Sequence, residues 1–149
     1  MKKLRMLLIS LLLVTMPLLS LSGCSGESDV EMITERFFVQ QVSSILQNLD
    51  TYTGRTIQLE GMFFSWGPSA PGADDMYHFV VRFMSGCCGD EGNVGFEVYM
   101  GDFESFTDNT WVSVTGVLEL RDGWQPNTPM LVVTAIEALA ERGQEIVFS

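Results

Sequence analysis

Apolar and polar positions alternate along this chain in two different rhythms. Between residues 34 and 49, Phe38, Val42, Ile45, Leu46 and Leu49 recur at helical spacing and share one face. The pattern predicts an amphipathic helix over about 34–49, stopped before Thr53-Gly54, with its apolar stripe packed into a core. From residue 55 the period shortens to two. Ile57, Leu59, Gly61 and Phe63 alternate with Thr56, Gln58, Glu60 and Met62, which predicts a strand over 55–64 with a bulge or bend at Gly61. A Pro/Gly loop covers 65–75. A second strand follows over 76–84, with Tyr77, Phe79, Val81 and Phe83 on one side and His78, Val80, Arg82 and Met84 on the other. Further strands are expected over 94–100, 110–120 and 130–139, and the tail 144–149 has room for one more. The stretch 101–109 reads as one helical turn with Phe103 and Phe106 facing inward.

Five strands with a helical turn between the third and fourth, and bends at glycine, predict a mostly β fold. The specific expectation is a small five-stranded OB-like Greek-key barrel, with the N-terminal helix covering one open end. A β-sandwich needs about seven strands and fits less well.

Residues 1–23 have a different character. Lys2, Lys3 and Arg5 precede an uncharged, mostly apolar run from Met6 to Leu19, which is short for a membrane span. The run ends in Leu21-Ser22-Gly23-Cys24, which resembles a bacterial lipobox. That resemblance implies a lipoprotein signal peptide over 1–23, acyl chains on Cys24, and anchoring to the cell membrane or outer membrane, facing outside the cytoplasm. Residues 24–30 then form a lipidated tether and 31–149 a single domain.

Cleavage changes the charge balance. The leader takes three of the eight basic residues and none of the 19 acids. Five arginines against 19 acids leave a formal charge of −14 on residues 24–149. Such a surface repels phosphate backbones, and nucleic acid is excluded as a partner.

The candidate chemistry is concentrated in "SGCCGDEG", residues 85–92, between the second and third predicted strands. Three readings of Cys87 and Cys88 stand. Two small soft side chains can simply pack in a turn. A vicinal disulfide or redox pair suits an oxidising compartment, although adjacent Cα atoms lie about 3.8 Å apart and an ordinary bridge spans about 4.4 Å or more. Thiolates also suit Zn²⁺ or Cu⁺, with Asp90 or Glu91 as an oxygen ligand. The single histidine, His78, lies nine positions before Cys87 on the preceding strand and reads as a surface or core residue. Paired acids elsewhere sit in turn segments and read as solvated. There is no GxSxG, no HExxH and no glycine-rich phosphate loop, so an enzyme ranks last. Trp66, Trp111 and Trp124, with Phe63 and Phe64, are candidates for a binding face. Barrel aromatics more often belong to the core, but Trp66 and Trp124 sit beside turns.

Tyr52, Gly54 and Ile57, the segment Phe79, Val81, Arg82, Phe83, Cys87, Cys88 and Asp90, and the run Trp111, Val112, Val114 and Gly116 form a further pattern. Together they resemble the soluble C-terminal domain of a family of uncharacterised bacterial membrane proteins, a double-cysteine domain of unknown function often encoded beside predicted permeases. The resemblance spans about residues 50–140, and the double-cysteine segment is its most specific part. It departs from that family in having a lipid anchor where the family has membrane helices, and in lacking the alanine before the aspartate, with Glu91-Gly92 following Asp90. The resemblance implies an OB-like barrel and a membrane permease as partner, and it supplies no reaction. Three functions follow: a lipid-anchored envelope binding module, with metal binding or an accessory place in a transport system; a thiol-redox protein; or a structural accessory lipoprotein.

Overall fold

Seven strands form one sheet that curls back on itself in the computed structural model, which describes residues 30–67, 76–85 and 91–148. They are β1 (Val30–Met32), β2 (Thr56–Trp66), β3 (Tyr77–Ser85), β4 (Glu91–Tyr99), β5 (Trp111–Arg121), β6 (Thr128–Ala138) and β7 (Ile146–Phe148). The helical segment comprises a 3₁₀ turn (Glu35–Phe37), α1 (Phe38–Gln47) and α2 (Leu49–Tyr52). Strand makes up 53% of the described residues and helix 16%, so the fold is mostly β.

The ring runs β2-β5-β6-β4-β3 and returns to β2 through the β2–β3 pairing. Its pairings are antiparallel except β4–β6. This is the five-stranded Greek-key order of an OB barrel. β1 and β7 are added outside it, parallel to β2 and β3 respectively. The tail therefore supplies the extra strand expected of it, whereas β1 lies where the sequence suggested only a tether and a helix approach. Period-two alternation sends Ile57, Leu59, Phe63, Val80, Phe96, Val98, Val112 and Val114 into the interior. Each fully buried apolar side chain contributes about 1.5–3 kcal/mol on leaving water. Phe38, Val39, Val42 and Ile45 of α1 join the same cluster and Leu49 packs against it, whereas Leu46 of the expected stripe is exposed at the edge of the helix face. Thr34 donates its N–H to Gln41 Oε1 (2.8 Å), and Gln41 Nε2 donates to Met32 O (3.2 Å), which ties the helix to β1. Among the described residues no helix is long and apolar enough to cross a membrane.

Residues 101–109 are not helical; they form turns. Asn109 takes a positive φ of 68°, Asp108 Oδ1 accepts the Ser65 N–H (2.8 Å), and Thr110 Oγ1 donates to Thr107 O (2.6 Å). These local bonds replace a helical ladder. Phe106 packs against the core as expected, but Phe103 is exposed.

β2 bends where the ring closes. From Met62 onward it pairs with β3, while its first residues pair with β1. Gly61 sits at the parting point, where an added Cβ would stand 2.9 Å from Val81 O. Arg82 fills the wedge between the parted strands and is only 2% exposed. Its Nε donates to Glu60 O (2.9 Å) and its Nη1 to Gln144 O (3.1 Å), with Glu35 Oε1 at 3.4 Å. Phe38 and Trp111 sandwich the guanidinium at 4.6 and 5.0 Å from their ring centres. The Glu35 carboxylate also accepts the Gln144 N–H. One buried cation thus joins the helix approach, β2, β3 and the C-terminal tail.

Candidate functional site

The outward face of β3 and β4 forms the floor of a groove of about 590 Å³. Because Val80 and Arg82 point inward, Phe79 and Val81 point out; likewise Asn93, Gly95 and Glu97 alternate with the inward Phe96 and Val98. Gly95 lets the two strands approach closely, since a Cβ there would stand 2.1 Å from Val80 O. The walls are Phe64 and Trp66 at the end of β2 and the β5–β6 turn carrying Trp124, Gln125, Pro126 and Asn127. Trp66 meets Trp124 edge-on at 3.9 Å between ring centres and 86°, and Tyr77 meets Trp124 at 5.8 Å and 81°. In OB barrels this face and its flanking loops are where chain-like ligands lie.

Glu97 stands at the groove floor, 7% exposed. Both carboxylate oxygens accept the Trp124 N–H at 3.2 Å, which holds the β5–β6 turn, and with it the Trp124 ring, over β4. Burial pushes the Glu97 carboxyl above the usual carboxylate range, and the Trp124 N–H partly offsets it. A folded-state pKa above the unfolded one means that the fold favours the protonated acid. Stability is then fully present at low pH and is reduced as pH rises through the unfolded and then the folded value. Glu97→Gln keeps an acceptor for Trp124 and removes the buried charge. It is expected to raise the denaturation midpoint at pH 7, with the gain shrinking as pH falls below the carboxylate range; a variant less stable than the parent at pH 7 would contradict this.

The aromatic residues singled out in the sequence divide. Trp66 and Trp124 are exposed and meet in the groove, with Phe64 beside them, whereas Trp111 and Phe63 are buried in the core. Cys24, Cys87, Cys88 and Asp90 lie outside the described residues. The ladder on either side of the cysteine segment is described: Phe83 pairs with Asn93, Met84 with Gly92 and Ser85 with Glu91. Residues 86–90 therefore connect β3 directly to β4. His78 lies at the opposite end of β3, seven residues before Ser85, roughly 20 Å along the strand at ~3.3 Å per residue.

His78 is half-buried on the inner face near the barrel rim. Its ring stacks on Phe63 (5.3 Å, 26°), and Nδ1 lies 3.2 Å from Ser65 Oγ. Burial pushes its pKa down, and Asp108 pulls it back toward the ordinary value. Ser65, His78 and Asp108 do not make a nucleophile relay, because the aspartate takes the Ser65 backbone N–H and no bond to the imidazole is formed. Among the described residues no group of three or more His, Cys, Asp or Glu side chains is placed to hold a metal ion.

Glu97 was not singled out from the sequence, and Arg82 entered only as a strand position and as part of the family pattern. The signal was present: each is the only charged residue in an apolar strand run, "VGFEVYM" and "HFVVRFM".

A family model described as the DUF1980 C-terminal domain matches residues 22–149. No curated protein and no solved structure matches the chain.

Proposed function

Because this chain belongs to the DUF1980 C-terminal domain family, a domain of unknown function, we propose that it is a non-enzymatic binding module, held at the cell envelope by acylated Cys24 and accessory to a membrane permease. Its ligand seat is the groove on β3 and β4. The observation that carries this is the meeting of exposed Trp66 and Trp124 over a buried carboxylate, Glu97, on the face that OB barrels use for binding. That face takes oligonucleotides or oligosaccharides in OB barrels. The net charge of −14 on residues 24–149 and the Glu97 carboxylate oppose a polyanion. Neutral sugars suit it: indole faces stack on their apolar ring surfaces, and Glu97, Asn93, Gln125 and Asn127 present acceptors and donors for hydroxyls.

Indole fluorescence tests this reading, because two of the three tryptophans stand in the groove. Titration with a panel of neutral oligosaccharides is expected to give a saturable change that ignores added salt. Trp66→Ala or Trp124→Ala is expected to weaken binding roughly tenfold, the loss of about 1.4 kcal/mol of contact. Saturable, salt-sensitive binding of a single-stranded oligonucleotide, or no response to any sugar, would overturn it.

A second reading concerns the β3–β4 connection. Cys87, Cys88 and Asp90 all fall within the five residues between paired Ser85 and Glu91. Two thiolates and a carboxylate on one short connection suit Zn²⁺ or Cu⁺. The rival is a thiol-redox pair formed by the same two cysteines.

A further inference from the structure

We propose that Met76, His78 and Met100 form a site for a soft monovalent cation, Cu⁺ or its analogue Ag⁺, at the rim of the barrel. The site shares Glu97 with the β3–β4 groove but none of its three ligands, and it is distinct from the cysteine connection. The register carries the argument. His78 pairs with Val98, and side chains two positions apart on a strand share a face. Met76 and Met100 lie just beyond the paired strand ends, where a continuation of that register by two residues would bring them opposite each other, on the face of His78 and Val98. Directly opposed Cβ atoms lie about 4.5–5.5 Å apart and diagonal neighbours are still within reach of long side chains. All three residues line one cavity of about 480 Å³.

The imidazole is oriented as a ligand imidazole usually is. Phe63 stacks on one face of the ring and Ser65 Oγ engages Nδ1, which leaves Nε2 for a metal. Met100 is 7% exposed and gives a fixed sulfur, while Met76 is 54% exposed and leaves the site open to an entering ion. Glu97 and Asp122 line the same cavity and give it a negative potential that draws cations.

The donor set chooses the ion. Two thioethers and an imidazole carry no charge, so they do not neutralise a dication. Thioether sulfur is a soft donor that selects Cu⁺, and imidazole suits copper. Neither donor has to lose a proton at neutral pH, and neither forms a disulfide, so the site stays competent where thiols oxidise.

The test uses the full-length protein in detergent, carrying C87S and C88S so that the cysteine connection contributes nothing. Ag⁺ is the probe, since it needs no reductant. Equilibrium dialysis is expected to give one Ag⁺ per chain, and ¹³Cε-methionine spectra to show two shifted methyl signals, assigned by the variants. M76L, H78Q and M100L, which preserve volume, are each expected to weaken binding at least tenfold, whereas M32L leaves it unchanged. No uptake in the C87S/C88S chain would overturn the rim site, and uptake confined to the cysteine-bearing chain would do so while leaving the connection as a metal site. Uptake indifferent to all three rim substitutions would also overturn it.

Discussion

Replacing Arg82 by alanine is expected to lower the free energy of unfolding by about 3–5 kcal/mol, since two hydrogen bonds from the charged guanidinium to carbonyls, about 1.5–3 kcal/mol each, are lost. That is a large part of the ~5–15 kcal/mol that holds an ordinary domain together. Arg82 stays charged at any physiological pH, although burial pushes its pKa down and Glu35 pulls it up. Removing it leaves the carbonyls of Glu60 and Gln144 without their donor where β2 and β3 part, and opens a gap between Phe38 and Trp111. Arg82→Lys keeps a charge but not the planar fork that serves both carbonyls at once, so most of the loss remains. Arg142 is the contrast: its bond to Glu145 joins two exposed side chains, and Arg142→Ala is expected to cost less than about 1 kcal/mol. Urea unfolding followed by indole fluorescence separates the two. Equal midpoints for Arg82→Ala and Arg142→Ala would show that the wedge does not bind the barrel together.

Cys87→Ser and Cys88→Ser are each expected to abolish uptake of about one Zn²⁺ per chain by the reduced protein. Serine offers a neutral hydroxyl where zinc needs a thiolate, and with one sulfur left the site has too few soft ligands. The thiolate must form before the ion binds, so binding releases protons and weakens below neutral pH, the free thiol having a pKa of about 8.5. His78→Ala leaves this zinc uptake intact, because His78 stands at the far end of β3. The measurement is a zinc titration in weak buffer with the released protons counted. No uptake and no protons at micromolar zinc would sink the metal reading. Intact mass would then separate the survivors, since a vicinal disulfide gains two hydrogens on reduction and packed thiols gain none.

The strands were legible because each carries its own rhythm. Ile57, Leu59 and Phe63 alternate with polar neighbours, and all three are buried in β2. The α1 stripe was equally plain, since Phe38, Val42 and Ile45 recur at helical spacing and enter the core. The 101–109 segment was misread because Phe103 and Phe106 have helical spacing, while the competing bonds of Asp108, Asn109 and Thr110 are visible only with the neighbouring strand in place. The binding face was half legible. Trp66 and Trp124 were marked by adjacent turns, but nothing local distinguishes them from Trp111, which has the same chemistry and lies in the interior.

The amino-acid pattern by itself determined most of the secondary elements and their order, the acidic composition, and the closeness in sequence of Cys87, Cys88 and Asp90. These depend on periodicity, composition and adjacency, which are properties of neighbouring residues. Only the tertiary structure decided that β2 returns to β3 to close the ring, that Arg82 fills the place where those strands part, and that Glu97 holds Trp124 over β4 against Trp66. Trp66 and Trp124 are 58 positions apart in the chain, and Arg82 and Gln144 are 62. Contacts over such separations form because burying one shared core repays the entropy of closing long loops, and no local pattern records which distant partner that core will select.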